Sequence, residues 1–259
     1  MTALYADSLF LSHGSPMTVL EATAATAFLA ELGRRMPRPR AVVAASAHWT
    51  TAAPKVGGAA RPRTIHDFSG FPPELYRITY PAPGAPDLAE RVRGLLGEGA
   101  GIAPERGLDH GIWSVASLMW PAADIPIVPL SVQPDRDPAW HHELGRRLRP
   151  LAEDGILVLA TGSATHNLQA YMRAGSMEDA PPAWVTGFAD WLADAVTRGD
   201  VDALLDYRAR APYAEANHPT DEHLLPLFVA LGAARHGKGE CLHRSVEYGV
   251  IAMDAYGFR

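Results

Sequence analysis

Apolar residues fall along this chain in two alternating textures: short, nearly continuous runs, and longer stretches where they recur every three or four positions. Ser8–Ser12 (SLFLS), Arg40–Ala47 (RAVVAASA) and Gly155–Ala160 (GILVLA) are of the first kind. Strands of a parallel sheet covered on both faces have this texture. Ile125–Val132 (IPIVPLSV) reads as a further strand, and its two prolines suit an edge or irregular position because proline cannot donate to a ladder. Val246–Tyr256 reads as a closing strand.

The second texture predicts helices. Pro16–Met36 carries Leu20, Ala24, Ala27, Phe28 and Leu32 at helical spacing. Asp87–Leu96 is closed by Gly97, Leu108–Trp120 is stopped by Pro121, and Pro138–Glu153 opens with proline in its first turn. Pro182–Arg198 and Val201–Arg208 follow, then Thr220–Leu231, with Thr220 as cap and Asp221 and Glu222 in the first turn. Strands alternating with helices predict an α/β fold with a mostly parallel central sheet flanked by helices. No linker or repeat divides the chain, so residues 1–259 read as a single domain. Thr51–Pro86, rich in Pro and Gly, is a connection long enough to suggest a lid or binding loop.

Three of the apolar runs lead to histidines. The first ends at His13, the second at His48, and the third turns through Thr161–Thr165 into His166. In open α/β sheets the ligand crevice lies outside the carboxyl ends of the strands. The three imidazoles are thus predicted to converge there on one metal, imidazole being the commonest metal ligand and the usual base near neutral pH. Three independent core histidines are the alternative. The segment NHPTDEHLLPL adds His218 before the expected cap and His223 inside the first turn; five residues apart, they do not share a helix face. His66, in the long loop, and His110 are further candidates, whereas His141, His142, His236 and His243 read as solvated or capping.

Composition narrows the partners. With 23 Lys and Arg against 29 Asp and Glu, and no basic cluster interleaved with aromatics, a nucleic-acid surface is not expected. The single Cys241 excludes an internal disulfide and fits a reducing cytosol. The N-terminal MTALYADSLFLSHG does not read as a signal peptide, and no run approaches the roughly 20 apolar residues of a membrane span. A cytoplasmic location and no membrane partner are the expectation; nothing in the pattern speaks to oligomeric state. Phosphate-binding, dinucleotide-binding, nucleophile-elbow and His-Glu-x-x-His motifs are absent, and GEGAG reads as a helix stop. Ser15 and Ser163 lie near the histidines and keep a serine hydrolase in view.

The stretches LFLSHGSPM, VVAASAHWT, TIHDFSGFPPELYRITYPAPG, LDHGIWSVASLMWP, DIPIVPLSVQP, GSATHN and HPTDEHLLPLFVALGA together carry a resemblance. The chain resembles, nearly end to end, the 4,5-DOPA extradiol type of the class III, LigB-like ring-cleaving dioxygenases. The resemblance implies insertion of O2 into a DOPA-like or related catechol ring, cut beside its two oxygenated carbons to give a muconic semialdehyde. It implies His13, His48 and His223 as metal ligands, with His166 either a fourth ligand or the acid/base. His110 is implied as a catalytic pocket residue, and His218, His66 and Trp49 are expected to touch substrate. Phe68, Phe71, Tyr76, Tyr80 and Trp113 could line an aromatic pocket or simply pack. Fe(II) is the implied cofactor, and an all-histidine set also suits Zn(II). The alternatives are a zinc-dependent hydrolase on the same scaffold, with His166 as base, and a non-enzymatic metal-binding protein. Glu222 and Asp221 could orient the His223 ring.

Overall fold

In the computed structural model, which describes residues 6–259, a single eight-stranded sheet organises the chain. The reading of the N-terminus as no signal peptide falls partly on residues 1–5, outside the described residues. The first half contains β1 (Ser8–Ser12), α1 (Ala24–Arg35), β2 (Ala41–Thr50), β3 (Lys55–Gly57), α2 (Pro86–Leu96), β4 (Gly101–Ala103), α3 (His110–Met119) and β5 (Ile127–Val132). Then come α4 (Pro138–Leu148), β6 (Ile156–Gly162), α5 (Leu168–Tyr171), α6 (Ala183–Arg198), α7 (Val201–Leu205), α8 (Tyr207–Arg210), α9 (Ala214–Asn217) and α10 (Leu225–Ala233). The chain closes with β7 (Gly239–His243), β8 (Val246–Glu247), β9 (Ile251–Ala252) and β10 (Ala255–Phe258).

The strand order is β4-β3-β5-β2-β6-β1-β10-β7. The neighbouring pairs from β5 to β1 are parallel, as is β4 with β3, while β10 pairs antiparallel with both β1 and β7. Alternate residues of the central strands feed two cores, as the period of two requires. Val42, Ala44, Leu157 and Leu159 pack with α1 and α3, and Val43, Ala45, Val158 and Ala160 pack with α4, α6 and α10. Burial on both faces is why these strands read as continuous apolar runs.

Several elements differ from the pattern-based expectation. The helix expected over Pro16–Met36 is a short 3-10 turn at Pro16–Leu20, a break, and α1, which starts where Thr23 and Thr26 exchange a reciprocal capping box. The strand expected to stop at Ala47 runs on to Thr50, so His48 lies within β2; its register against β5 slips between Ser46 and Thr50, a bulge that re-aims the intervening side chains. β5 is interior, but touches β3 at one register position, Val56 with Leu130, which tolerates the missing Pro129 N–H. The helix expected to Glu153 gives way at Leu148 to a 3-10 turn containing Pro150. The helix expected from Thr220 begins at Leu225 with Pro226 in its first turn; Thr220 is no cap and His223 lies outside the helix. The expected closing strand is broken into the β8–β9 hairpin and β10 by Tyr248 and Gly249, both at positive φ. His141 is fully buried, not solvated, and accepts from the Gln133 backbone N–H at 3.1 Å. Among the described residues no helix is long and apolar enough to cross a membrane.

Candidate metal centre

The strand order decides the site. β2, β6 and β1 are consecutive and parallel, so their carboxyl ends lie side by side. His13 follows β1, His48 sits in the β2 bulge, and His166 follows β6. The end of β6 also fixes backbones: Gly162 O accepts from His13 N at 3.0 Å, and Ser163 N donates to His223 O at 2.9 Å. Gly162 permits that approach, since a Cβ there would stand 2.1 Å from His223 O. At the start of α3 a Cβ on Gly111 would press on His48 Cδ2 at 3.1 Å and His13 Nδ1 at 3.2 Å.

Three imidazoles meet through one nitrogen each. His48 Nε2 is 3.0 Å from His13 Nε2 and 3.2 Å from His223 Nε2. Their other nitrogens face oxygen. Thr161 Oγ1 donates its one proton to Gly111 O at 2.7 Å, so at 2.9 Å it accepts from His13 Nδ1–H. His223 Nδ1 faces Glu222 Oε1 at 2.9 Å, and His48 Nδ1 faces Asp67 Oδ2 at 3.2 Å. His13 and His223 thus carry the proton on Nδ1, the Asp67 carboxylate within ion-pair reach of His48 Nδ1 favours the same tautomer there, and each Nε2 then presents a lone pair to the same point. Lone pairs of neutral imidazoles cannot bond one another; a cation at their meeting point satisfies all three. Two nitrogens bound to one metal at about 2.1 Å stand about 3.0–3.4 Å apart for ordinary coordination angles. The donor set therefore fits a metal. Burial, reinforced by the neighbouring imidazoles, holds His13 and His223 well below the usual histidine range, in the neutral form a ligand requires.

Two more imidazoles flank the trio. His166 stacks flat on His223, ring centroids 3.4 Å apart, and burial pushes it down to about 4. His110 lies 3.9 Å from the His48 ring; burial and His48 lower it, against the pull of Asp67. By nitrogen and carboxylate proximity, two groups that could hold a metal stand out: His13, His48 and His110, and His166, Glu222 and His223. The Nε2 contacts join the two groups through His48 and His223.

Asp67, which the sequence reading missed, ties the long loop to this centre. Its Oδ1 accepts from the His110 backbone N–H at 2.9 Å, at the N-terminus of α3. Its Oδ2 also lies 3.1 Å from His110 Nδ1, within ion-pair reach but bent away from a hydrogen bond. Burial would raise the Asp67 carboxyl, but the contacts with His110 and His48 outweigh it and hold the group well below the carboxylate range. The only sequence signal was its place beside His66 in the HDFSGFP stretch.

A cavity of about 350 Å³ opens in front of the imidazoles and is lined by His13, His48, His110, His166 and His223, with Phe68 and Phe71 from the loop. His66, Trp49 and His218 do not line it. His66 bonds Ile78 O at 3.0 Å behind Phe68; Trp49 is buried under the Arg106 guanidinium; His218, fully buried, bonds Ala164 O at 2.9 Å and packs on Phe188. They are corrected from substrate contacts to support. Tyr80 and Trp113 also pack, bonding Trp120 O and Ile65 O, and Asp221 pairs with Arg208 and Tyr207, leaving Glu222 alone beside His223. Ser163 Oγ donates to Thr165 O, Ser15 Oγ accepts from Met17 N–H, and among the described residues neither bonds an imidazole as a serine nucleophile would.

Comparison with known proteins agrees with this geometry. Residues 7–259 match the family described as the catalytic LigB subunit of aromatic ring-opening dioxygenase. A protein of Beta vulgaris named 4,5-DOPA dioxygenase extradiol is 38% identical over 97% of this chain and 96% of its own length. One of the same name from Escherichia coli K12 is 42% identical over 90% and 87%. A crystal structure of an uncharacterized Escherichia coli K12 protein superposes with a TM-score of 0.83 at 35% identity, covering 98% of this chain and all of that one. With a family match across nearly its whole length and these relatives, the chain belongs to the LigB family of aromatic ring-opening dioxygenases.

Proposed function

We propose that this chain, residues 1–259 acting as one unit, is a non-haem Fe(II)-dependent extradiol dioxygenase. It would open a catechol ring beside its two oxygenated carbons and release a muconic semialdehyde. The observation that carries this reading is the convergence of three Nε2 lone pairs, each set by an oxygen on Nδ1, beside two further imidazoles in an aromatic-walled cavity. His13, His48 and His223 would hold the metal, which when bound brings catechol and O2 together and lends electron density between them.

The remaining steps belong to the protein. Phe68 and Phe71 offer ring faces to an aromatic substrate, and their loop is held by Asp67. His166, neutral because burial lowers it to about 4, is free to take the proton that a catechol hydroxyl releases on binding. Its flat stack on His223 keeps it beside the ligand set. His110, beside His48 and within ion-pair reach of Asp67, would hydrogen-bond substrate in the cavity. An all-nitrogen donor set also suits Zn(II), so protein purified without added iron is expected to carry zinc and be inactive.

The test is anaerobic reconstitution with Fe(II), then mixing with catechols in air while following oxygen uptake and the yellow semialdehyde. Uptake with a yellow product is expected. No uptake with any catechol, iron being bound, would sink the reading in favour of a zinc hydrolase. In His166→Ala, bound metal should persist while cleavage falls at least about 100-fold; undiminished cleavage would remove His166 from its role.

A further inference from the structure

Pro16, Phe68, Phe71, Leu168, Tyr171 and Ile251 give the cavity much of its lining, alongside the imidazoles and uncharged Ser and Asn side chains. Two carboxylates reach the cavity, Asp67 and Glu222, and both face ligand imidazoles. Among the described residues lining it there is no Lys or Arg. A second cavity, of about 260 Å³, shares His166, Asn167, Leu168 and Glu222 with the first, and its one charged lining group is again Glu222. With both carboxylates turned to imidazoles and no lining Lys or Arg, the cavity offers no strongly basic side chain to a further anion. A carboxylate on the ring substituent would meet apolar groups there, losing hydration with no Lys or Arg to replace it. An uncharged substituent would instead bury against the same rings and aliphatic groups.

We propose that this chain acts on catechols whose ring substituent is uncharged and apolar, and selects against a carboxylate there. The inference rests on the ring-cleaving reading above.

The test uses the Fe(II)-reconstituted full chain and oxygen uptake with 4-propylcatechol, dihydrocaffeate and dihydrocaffeate methyl ester; the last two differ in charge but not in ring electronics. The ester and the alkylcatechol should exceed the acid in kcat/KM by about tenfold or more, mostly through KM. An acid turned over as well as its ester would overturn the proposal. Leu168, 60% exposed at the rim, offers a second handle. Leu168→Arg should lower the ester-to-acid ratio severalfold, and Leu168→Gln, uncharged, should not. Unless Arg lowers the ratio more than Gln, the discrimination is not electrostatic and the proposal falls. No uptake with any of the three would defeat the ring-cleaving reading, and this inference with it.

Discussion

At the residue scale the centre depends on which nitrogen of each imidazole holds its proton. Thr161, Asp67 and Glu222 settle that from behind the ligands, so their loss should weaken metal binding without removing a ligand. Asp67→Asn is expected to raise the Kd for metal about 10–100-fold, read by chelator competition; an unchanged Kd would show that the His48 ring is oriented by something else. Asp254, whose backbone carbonyl accepts from Ser12 next to His13, titrates by a different logic. It is almost wholly buried, accepts from Tyr256 Oη at 2.8 Å and faces Arg244 Nε at 3.3 Å. Burial outweighs both partners and raises its carboxyl to about 6. A carboxyl raised in the folded state adds stability when protonated, and that stability is lost as pH climbs through the folded value. Relative to Asp254→Asn, the wild type should therefore gain about 2–3 kcal/mol between pH 7 and pH 4 by denaturant unfolding. A difference that does not vary with pH would mean Asp254 stays ionised throughout.

At the scale of elements, close approach of strand and helix ends brings the imidazoles together. Gly162→Ala would drive a Cβ into the His223 carbonyl and should cost roughly 1–3 kcal/mol of stability as well as metal affinity. Gly111→Ala meets only side chains at 3.1–3.2 Å and replaces a helical glycine, so it should spare stability and weaken metal binding. Equal effects of the two on stability would contradict this division. The same contrast explains what was legible. β1 and β6 are buried on both faces, so their apolar runs were legible, β1 with its observed bounds and β6 two residues short of its end at Gly162. Pro16–Met36 was overread because apolar spacing continues across a break set by the Thr23–Thr26 capping box. β3 and β4, three residues each, exist through their pairing and have no periodicity to read. His13, His48 and His166 were visible because apolar runs lead into them, whereas His223 was assigned as a ligand by the family resemblance. Asp67 was not, because a loop carboxylate acquires its role only when the fold sets it against α3 and β2.

At the scale of the whole molecule, the three Nε2 donors come from opposite ends of the chain. His13 and His48 sit near the start, His223 some 175 residues after His48, and no short segment brings the three together. The folded state alone assembles the set, so metal should bind it far better than the unfolded chain and stabilise it by mass action. At a hundredfold excess of free metal over Kd the gain is about 2.7 kcal/mol, worth about 5–10 °C in Tm for a chain of this size. Adding Fe(II) anaerobically, or Zn(II) in air, to chelator-stripped protein should raise Tm by about that amount, and a chelator should reverse it. His223→Ala should fold, since its ring is packed chiefly among other imidazoles, but lose most of the shift. The control is His218→Ala, which removes a buried histidine bonded to Ala164 O outside the cavity and should lower Tm while leaving the metal-induced increment intact. An increment that survived in His223→Ala but vanished in His218→Ala would mean that the chain binds its metal elsewhere, and that the converging nitrogens at the ends of β1 and β2 are not its site.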